Sequence, residues 1–582
     1  MRKISNFIRN NYAILIIFLW FLATRIYNFS DIIWYETSSE ILQIFQFITI
    51  KWQIFNLIPH FPLATILYKV WAVVAWNTII WVKAMHIFLN ILTFFLIYKT
   101  SILFYNDKKV ANWSVLLYTI SFYAYVWNTM WIDQDLATNP LFFILTLYLY
   151  KKYSDFSIRG IVLTVLACSL LTTSRPILWI IVMWIIFLDL ISKYVVQNSK
   201  KVKFSWIMWE VIRFLKLFVP YLIVWWLVCY GMFKLFPSSI AQDLNIYKNL
   251  FNWAGWGGNL LTKLAFLGHV FMYASPLILS LFFLFKNYAK HQTILIASIV
   301  MILYMCMWLS WGDPARRMMP ILPIFVIGRW YLCSKYINKR EIIWIIVVAA
   351  IIIILNTTLL DYHNLPANIS DYLSNIFNRV FLLESTVFNP IFLDTKLVFW
   401  IAWAALIFFL LFIFSTNNKL KSLFFVFSLW INIWLISIHL FQIKQPHISD
   451  ISKRMYEFCA ENCDWNQKIY ADQVSKDTIM LWVREKNVWS YFNLHPENDI
   501  IWKTQSLWNN LIKLEGVNLF TQGMKQQDFT DIIKENWSGF AFLTNYFNNN
   551  EEIEILNKKC KIIEKFDWGV EEIYWIIYLC DF

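Results

Sequence analysis

Over the first three quarters of the chain, apolar runs alternate with short polar stretches. Many approach or exceed the roughly 17–25 residues that cross a bilayer as a helix. The pattern predicts spans at Tyr12–Asn28, Thr78–Tyr98, Val110–Val126, Leu141–Leu149, Gly160–Thr173, Ile177–Ile191 and Phe214–Leu235. It continues with Leu260–Phe285, Thr293–Leu309, Met318–Tyr331, Ile342–Leu355, Leu397–Phe414 and Leu423–Leu440. The fold class is therefore an α-helical polytopic membrane protein of about 13 spans. The stretch 29–77 breaks the alternation: it is polar and aromatic, with amphipathic pieces such as Ile41–Ile50. From Lys444 onward the pattern changes again. β-like runs at Lys468–Ala471, Gly539–Leu543 and Glu572–Leu579 mix with helical pieces at Ile451–Glu461 and Glu552–Lys559. Two units are expected: a membrane domain over 1–443 and a small extracytoplasmic α/β domain over 444–582.

Composition agrees. Of 582 residues, 59% are hydrophobic and 15% charged, with a mean hydropathy of +0.53. Soluble domains carry roughly 25% charged residues. The net charge of +13 does not point to nucleic acid, because the basic residues form short clusters between apolar runs. Those clusters orient the chain. Arg2/Lys3/Arg9, Lys99/Lys108/Lys109, Lys151/Lys152, Lys200/Lys201/Lys203, Lys286/Lys290, Lys335/Lys339/Arg340 and Lys419/Lys421 fall in every second connection. Placing them in the cytoplasm puts the N-terminus inside and the C-terminal domain outside, in a bacterial cytoplasmic membrane.

Glycine and tryptophan are out of balance. There are 12 Gly and 33 Trp, where average usage predicts roughly 40 Gly. Several Trp stand in turn contexts suited to glycine: Asn252-Trp-Ala-Gly-Trp-Gly-Gly258, Cys463-Asp-Trp-Asn466 and Glu535-Asn-Trp-Ser-Gly539. An interfacial aromatic belt does not account for Trp at turns, where φ > 0 favours Gly. The expectation is that UGA encodes glycine in this gene.

The orientation gives the candidate chemistry a side. Asp31, Glu36, Glu40, Asp133, Asp135, Arg175, Asp313, Arg316 and Arg317 all fall on the extracytoplasmic face. A carboxylate costs a few kcal/mol in lipid, so Asp133 and Asp135 face water or line a polar cavity. Eight cysteines split evenly. Cys168, Cys229, Cys306 and Cys333 sit in or beside spans and read as packing residues. Cys459, Cys463, Cys560 and Cys580 fall in the outer stretch, where disulfides persist. Three pairings are open. One that joins Cys459 to Cys463 is disfavoured by i,i+4 geometry, and a four-thiolate zinc site is a minor alternative.

Four stretches, in order and on one side, resemble the GT-C class of membrane glycosyltransferases. The nearest members are the bacterial relatives of protein O-mannosyltransferases and the lipid A aminoarabinose transferase. Arg25-Ile-Tyr-Asn-Phe-Ser-Asp-Ile-Ile-Trp-Tyr-Glu-Thr-Ser-Ser-Glu40 looks like the end of the first span with the first acidic loop. His60-Phe-Pro-Leu63, followed by Tyr68, is similar to that loop's His-x-Pro-Leu stretch. Trp131-Ile-Asp-Gln-Asp-Leu136 looks like the second acidic loop, and Gly312-Asp-Pro-Ala-Arg-Arg-Met-Met-Pro-Ile-Leu-Pro323 like the Arg-Tyr-x-x-Pro-x-x-Pro stretch. There are two departures: Tyr35-Glu36 stands where the family reads Asp-Glu, and Arg317-Met318 where it reads Arg-Tyr.

The resemblance implies sugar transfer from a polyprenyl-phosphate sugar to a lipid, glycan or protein acceptor. An acceptor hydroxyl needs a carboxylate to take its proton; Asp133, Asp135 and Glu36 are the candidates. The departing phosphate needs cations: Arg316 and Arg317, with Arg175 and Lys83 near span ends. For Arg175 and Lys83, snorkelling to the interface is the competing reading. Asp31 and His60 are candidate substrate-binding residues. No cofactor is required; a divalent cation can join Asp133 to the donor phosphate, but no His/Asp cluster demands one. The partners expected are the bilayer and the lipid-linked donor. Competing readings are a transporter or flippase, a polymerase or ligase of lipid-linked saccharides, and a degenerate member without catalysis.

Overall fold

The computed structural model describes residues 2–26, 79–120, 134–197, 204–235, 288–307, 322–327, 469–472, 511–514, 538–544, 550–567 and 574–581, with a few helical residues near 67–71, 407–411 and 454–462. The expected spans over 260–285, 342–355 and 423–440 lie outside the described residues.

The helices are α1 (Arg2–Ile26), α2 (Ile79–Tyr105), α3 (Lys108–Ile120), α4 (Gln134–Lys152), α5 (Ile158–Ser174), α6 (Pro176–Gln197), α7 (Phe204–Leu235), α8 (Tyr288–Met307) and the short α9 (Leu322–Val326). Most run further than the apolar pattern suggested. The structure starts α1 ten residues before Tyr12 and continues α2 to Tyr105. Helical hydrogen bonding satisfies the backbone whether or not side chains are apolar, so helices overrun the bilayer. At 27 residues, α2 is about 40 Å long, against roughly 30 Å of hydrocarbon. Segments 82–105 and 207–228 are long and apolar enough to span. The start of α4 is a correction: the expected connection over 127–140 ends early, and Gln134 to Pro140 are helical.

The bundle exposes apolar faces as well as burying them. On α5, Ile158, Val162, Leu166 and Leu170 form an exposed i,i+4 apolar stripe. On α7, Ile212, Leu215, Val219, Ile223 and Trp226 do the same. Large exposed apolar faces are rare on water-soluble monomers and are what a lipid solvent favours. The buried side carries Thr93, Ser101, Ser114, Thr119, Thr146, Ser169 and Thr172. Each hydroxyl donates to the carbonyl four residues earlier, at 2.7–3.0 Å. That arrangement satisfies the hydroxyls within their own helix and lets helices pack closely.

Short turns set the directions of the helices. Asn106, at φ 49, ends α2, and the Asp107 carboxylate accepts from the Lys109 amide at 2.7 Å to start α3. Gly160 sits where a Cβ would fall 2.3 Å from Tyr153 Cβ, so a side chain there would drive α5 off the α4–α5 turn. α2 packs on α3 and α4, α4 on α5, α5 on α6 and α7, and α6 on α8.

The C-terminal strands are β1 (Ile469–Asp472), β2 (Leu511–Leu514), β3 (Ser538–Thr544), β4 (Cys560–Asp567) and β5 (Tyr574–Asp581), with α10 (Asn550–Lys559) before β4. Their order is β2-β1-β3-β5-β4. The first three are parallel, and β5 runs antiparallel to both neighbours. Ile553 and Leu556 of α10 cover Ala541, Leu543, Ile576 and Tyr578 on one face. Phe458 packs on Phe540 and Phe542. Burial pushes the Tyr578 hydroxyl pKa up, and Tyr574 adds to it. Cys560 and Cys580 are direct cross-strand partners and form a disulfide with Cα atoms 4.4 Å apart. This bond excludes the two pairings that would join Cys560 and Cys580 to Cys459 and Cys463, and it removes the thiolates a four-thiolate zinc site needs. Cys459 and Cys463 lie outside the described residues.

Candidate functional site

Printed contacts sort the helix ends into two groups. The C-terminal end of α1 meets that of α3, because Arg25 Nη1 donates to the Thr119 carbonyl at 2.9 Å. The N-terminal half of α2 faces the same way, since Tyr118 donates to Asn90 Oδ1, near the middle of α2, at 3.3 Å. At the far end of α2, Lys151 of α4 stands over the Phe104 ring, 5.5 Å from its centroid. So α4 runs parallel to α2, and its N-terminal turn belongs to the Arg25 end. The two ends of the bundle are therefore an Arg25 end and a lysine end.

At the Arg25 end lie buried basic groups. Arg25 is 1% exposed; it donates to Thr24 Oγ1 at 2.8 Å as well as to Thr119, and its guanidinium stacks 4.4 Å from the Phe21 ring centroid. This charge-assisted bond to the Thr119 carbonyl holds the buried guanidinium against α3. Lys83 is 3% exposed, at the start of α2. That burial argues against simple snorkelling to the interface. One turn on, His86 Nδ1 is hydrogen-bonded to the Tyr68 hydroxyl at 2.7 Å. Asn90 Nδ2 donates to the His86 carbonyl at 2.9 Å. Lys83, His86, Asn90 and Thr93 follow the i, i+3, i+7, i+10 spacing of one helix face.

The start of α4 is tied to the end of α5. Thr138 and Ser174 hydroxyls are 2.6 Å apart, and Ser174 donates to Asn139 Oδ1 at 2.8 Å. Asp135 precedes Thr138 and Asn139 by about one turn of α4. Arg175 alone joins α5 to α6. Its amide donates to Leu171 O at 2.8 Å and its carbonyl accepts from Leu178 N at 3.1 Å, so one residue closes one helix and opens the next.

The structure thus brings the positions of Lys83, Asp135 and Arg175 to one end of the bundle. Asp133, Glu36, Asp31, His60, Arg316 and Arg317 lie outside the described residues. Five residues after Arg317, the chain enters α9, which packs on α3 and α4. Arg25, His86, Asn90 and Tyr118 had no role assigned from the sequence. Their signal was present: polar residues on one face of an otherwise apolar run mark a functional or interhelical contact.

The lysine end is arranged differently. Asp189 of α6 is 2% exposed. Its carboxylate accepts from the Tyr150 hydroxyl at 2.8 Å and from Thr293 Oγ1 at 2.6 Å, and its carbonyl from Gln292 at 2.6 Å. Lys151 Nζ donates to Thr293 at 3.2 Å.

No protein-family model and no curated protein matches the chain. Among solved structures, the chain is similar to the crystal structure of ArnT from Cupriavidus metallidurans in the apo state, at 12% identity and a TM-score of 0.51. That match covers 99% of this chain and 98% of that one. The archaeal oligosaccharyltransferase AglB from Archaeoglobus fulgidus, in complex with an inhibitory peptide and a dolichol-phosphate, is similar over 60% of this chain and 56% of that one, at 12% identity and a TM-score of 0.37. At that score the second likeness carries no argument. The first extends from one end of the chain to the other: the chain has a GT-C-like fold.

Proposed function

We propose that this protein is a membrane glycosyltransferase that moves a sugar from a polyprenyl-phosphate donor to a hydroxyl-bearing lipid, glycan or protein at the outer face of a bacterial cytoplasmic membrane. What supports the reading is that the helix stretches carrying Asp135, Lys83 and Arg175 lie toward the same end of the bundle, opposite Lys151 and Lys152. By the positive-inside rule, the lysine end faces the cytoplasm. The Arg25 end and the C-terminal sheet then lie outside, where the Cys560–Cys580 disulfide persists.

The chemistry follows from what the reaction lacks in water. A neutral hydroxyl is a poor nucleophile, and one of Asp133, Asp135 and Glu36 takes its proton as it attacks the anomeric carbon. The bond to phosphate breaks, and the lipid phosphate leaves with its negative charge. Arg316 and Arg317, with Lys83 and Arg175, hold that charge. Asp31 and His60 contact the substrates. The end-to-end likeness to ArnT supports the fold this mechanism needs. A transporter reading would call for broken helices near mid-bilayer.

The test is transfer from a radiolabelled polyprenyl-phosphate hexose in membranes carrying the protein, with and without EDTA. Asp133→Asn, Asp135→Asn and Glu36→Gln are compared with wild type at matched expression. Loss of about 100-fold or more in one or two variants identifies the base. Equal rates in all three would sink the acid–base assignment, and EDTA sensitivity would add a cation to the site.

A further inference from the structure

The geometry points to one buried seam, running Tyr68–His86–Asn90–Tyr118/Thr119–Arg25, that sets the spacing of the two acidic segments; its members are positioning residues, and their effect on rate rests on the transferase reading above. Its links are hydrogen bonds between buried groups, joined along the chain from Tyr118 to Thr119. The Tyr68 hydroxyl meets His86 Nδ1 at 2.7 Å, Asn90 reaches the His86 carbonyl at 2.9 Å, and Tyr118 reaches Asn90 at 3.3 Å. The next residue, Thr119, offers its carbonyl to Arg25 at 2.9 Å.

Where these residues stand in the chain gives the seam its meaning. Arg25 is the last residue but one of α1, where the chain leaves for the segment carrying Glu36. Tyr68 lies on the return of that segment. Tyr118 and Thr119 are in the last turn of α3, where the chain leaves for Asp133. The seam therefore ties together three of the four described stretches that flank the Glu36 and Asp133 segments in sequence. The fourth, the start of α4, is held by Thr138, Asn139 and Ser174.

Away from water such bonds are directional and costly to leave unmade. They fix positions rather than merely add cohesion. Rates of oriented reactions are sensitive to small displacements: a shift of about 1 Å costs on the order of 100-fold. The bonded atoms are not placed to react. His86 and Tyr68 are joined to each other, and Asn90 to its neighbours on both sides.

Two conservative variants isolate the seam. Tyr68→Phe and Tyr118→Phe remove one hydroxyl each and keep rings that already stack, Tyr68 on His86 at 6.1 Å and Tyr118 on Phe21 at 6.2 Å. The full chain in lipid nanodiscs is followed by hydrogen exchange and by transfer kinetics. In Tyr68→Phe, exchange is expected to quicken about tenfold both in the peptide around 67–71 and, across the seam, in the peptide ending α3. The kcat for transfer falls about tenfold while KM for the lipid donor stays within about twofold. Arg25→Lys, which keeps a donor, retains more rate than Arg25→Met. Faster exchange confined to the Tyr68 peptide would show that no seam connects the segments. Quickened exchange with unchanged kcat would remove the positioning role. If wild type transfers nothing with any donor, the transferase reading falls, and the exchange experiment still decides the seam.

Discussion

The two ends of the helix bundle handle buried polarity in opposite ways. At the lysine end a single carboxylate, Asp189, is enclosed by neutral donors from α4 and α8. Its bonds close on themselves and knit three helices together. At the Arg25 end the basic groups Arg25, Lys83 and His86 and the amides Asn90 and Asn139 are buried among hydroxyls, and the bonds of Arg25 and His86 reach Thr119 and Tyr68. One arrangement locks helices; on the proposed reading, the other tethers the connections that carry the candidate acidic residues.

This contrast can be broken most severely at the Arg25 end, through the losses of about 100-fold or more expected of the acidic variants. The next effect is at the opposite end. Asp189→Ala leaves the Tyr150 and Thr293 hydroxyls without their acceptor. Interhelical hydrogen bonds in membranes are worth roughly 0.6–2 kcal/mol each. A loss of about 2 kcal/mol is expected, read as a lower thermal midpoint in detergent. Transfer per folded molecule should hold; a selective loss of kcat would mean the lysine end is not a simple lock.

Cys560→Ser tests whether the C-terminal sheet stands apart from both ends. The bridge closes a loop with a sequence separation of 20, for which the chain-entropy account gives about 3 kcal/mol. The sheet should melt earlier while the helices keep their midpoint, and one shared shift would show a single cooperative unit.

The smallest effect belongs to Glu554. Its hydrogen bond and ion pair with Lys558 at 2.7 Å hold its pKa below the ordinary range. This contribution is present above the free glutamate value of about 4.3 and fades as pH falls through the lowered folded value. The pair is exposed, so the slope is shallow. Glu554→Gln should flatten it.

Much of the helical part was legible because its signal is periodic. The apolar runs gave α2, α5, α6 and α7 with ends misplaced by up to ten residues, since helices continue beyond the apolar core. Asp135 was read into a turn because Asp, Thr, Asn and Pro are turn formers, yet the same residues suit a helix's first turns. His86 and Asn90 lie inside the apolar run of α2 rather than at its flanks, and only their spacing from Lys83 marks one helix face. In the C-terminal sheet, the runs with apolar alternation became β1, β3 and β5. β4 escaped because its exposed Lys561, Glu564 and Lys565 suit an edge strand. The pairing of Cys560 with Cys580 needed the strand register, which spacing alone does not supply. The glycine–tryptophan imbalance is a property of the gene. Native protein is expected to be lighter than 69.9 kDa if UGA is read as glycine, and intact-mass measurement decides it.

Arg175 has a mechanical consequence. Because its amide ends α5 and its carbonyl begins α6, the joint holds no slack. A connection of several residues absorbs a push; this one transmits it. A displacement of Ser174 would be carried along α6 toward Asp189 as by a rigid lever, from one end of the bundle to the other.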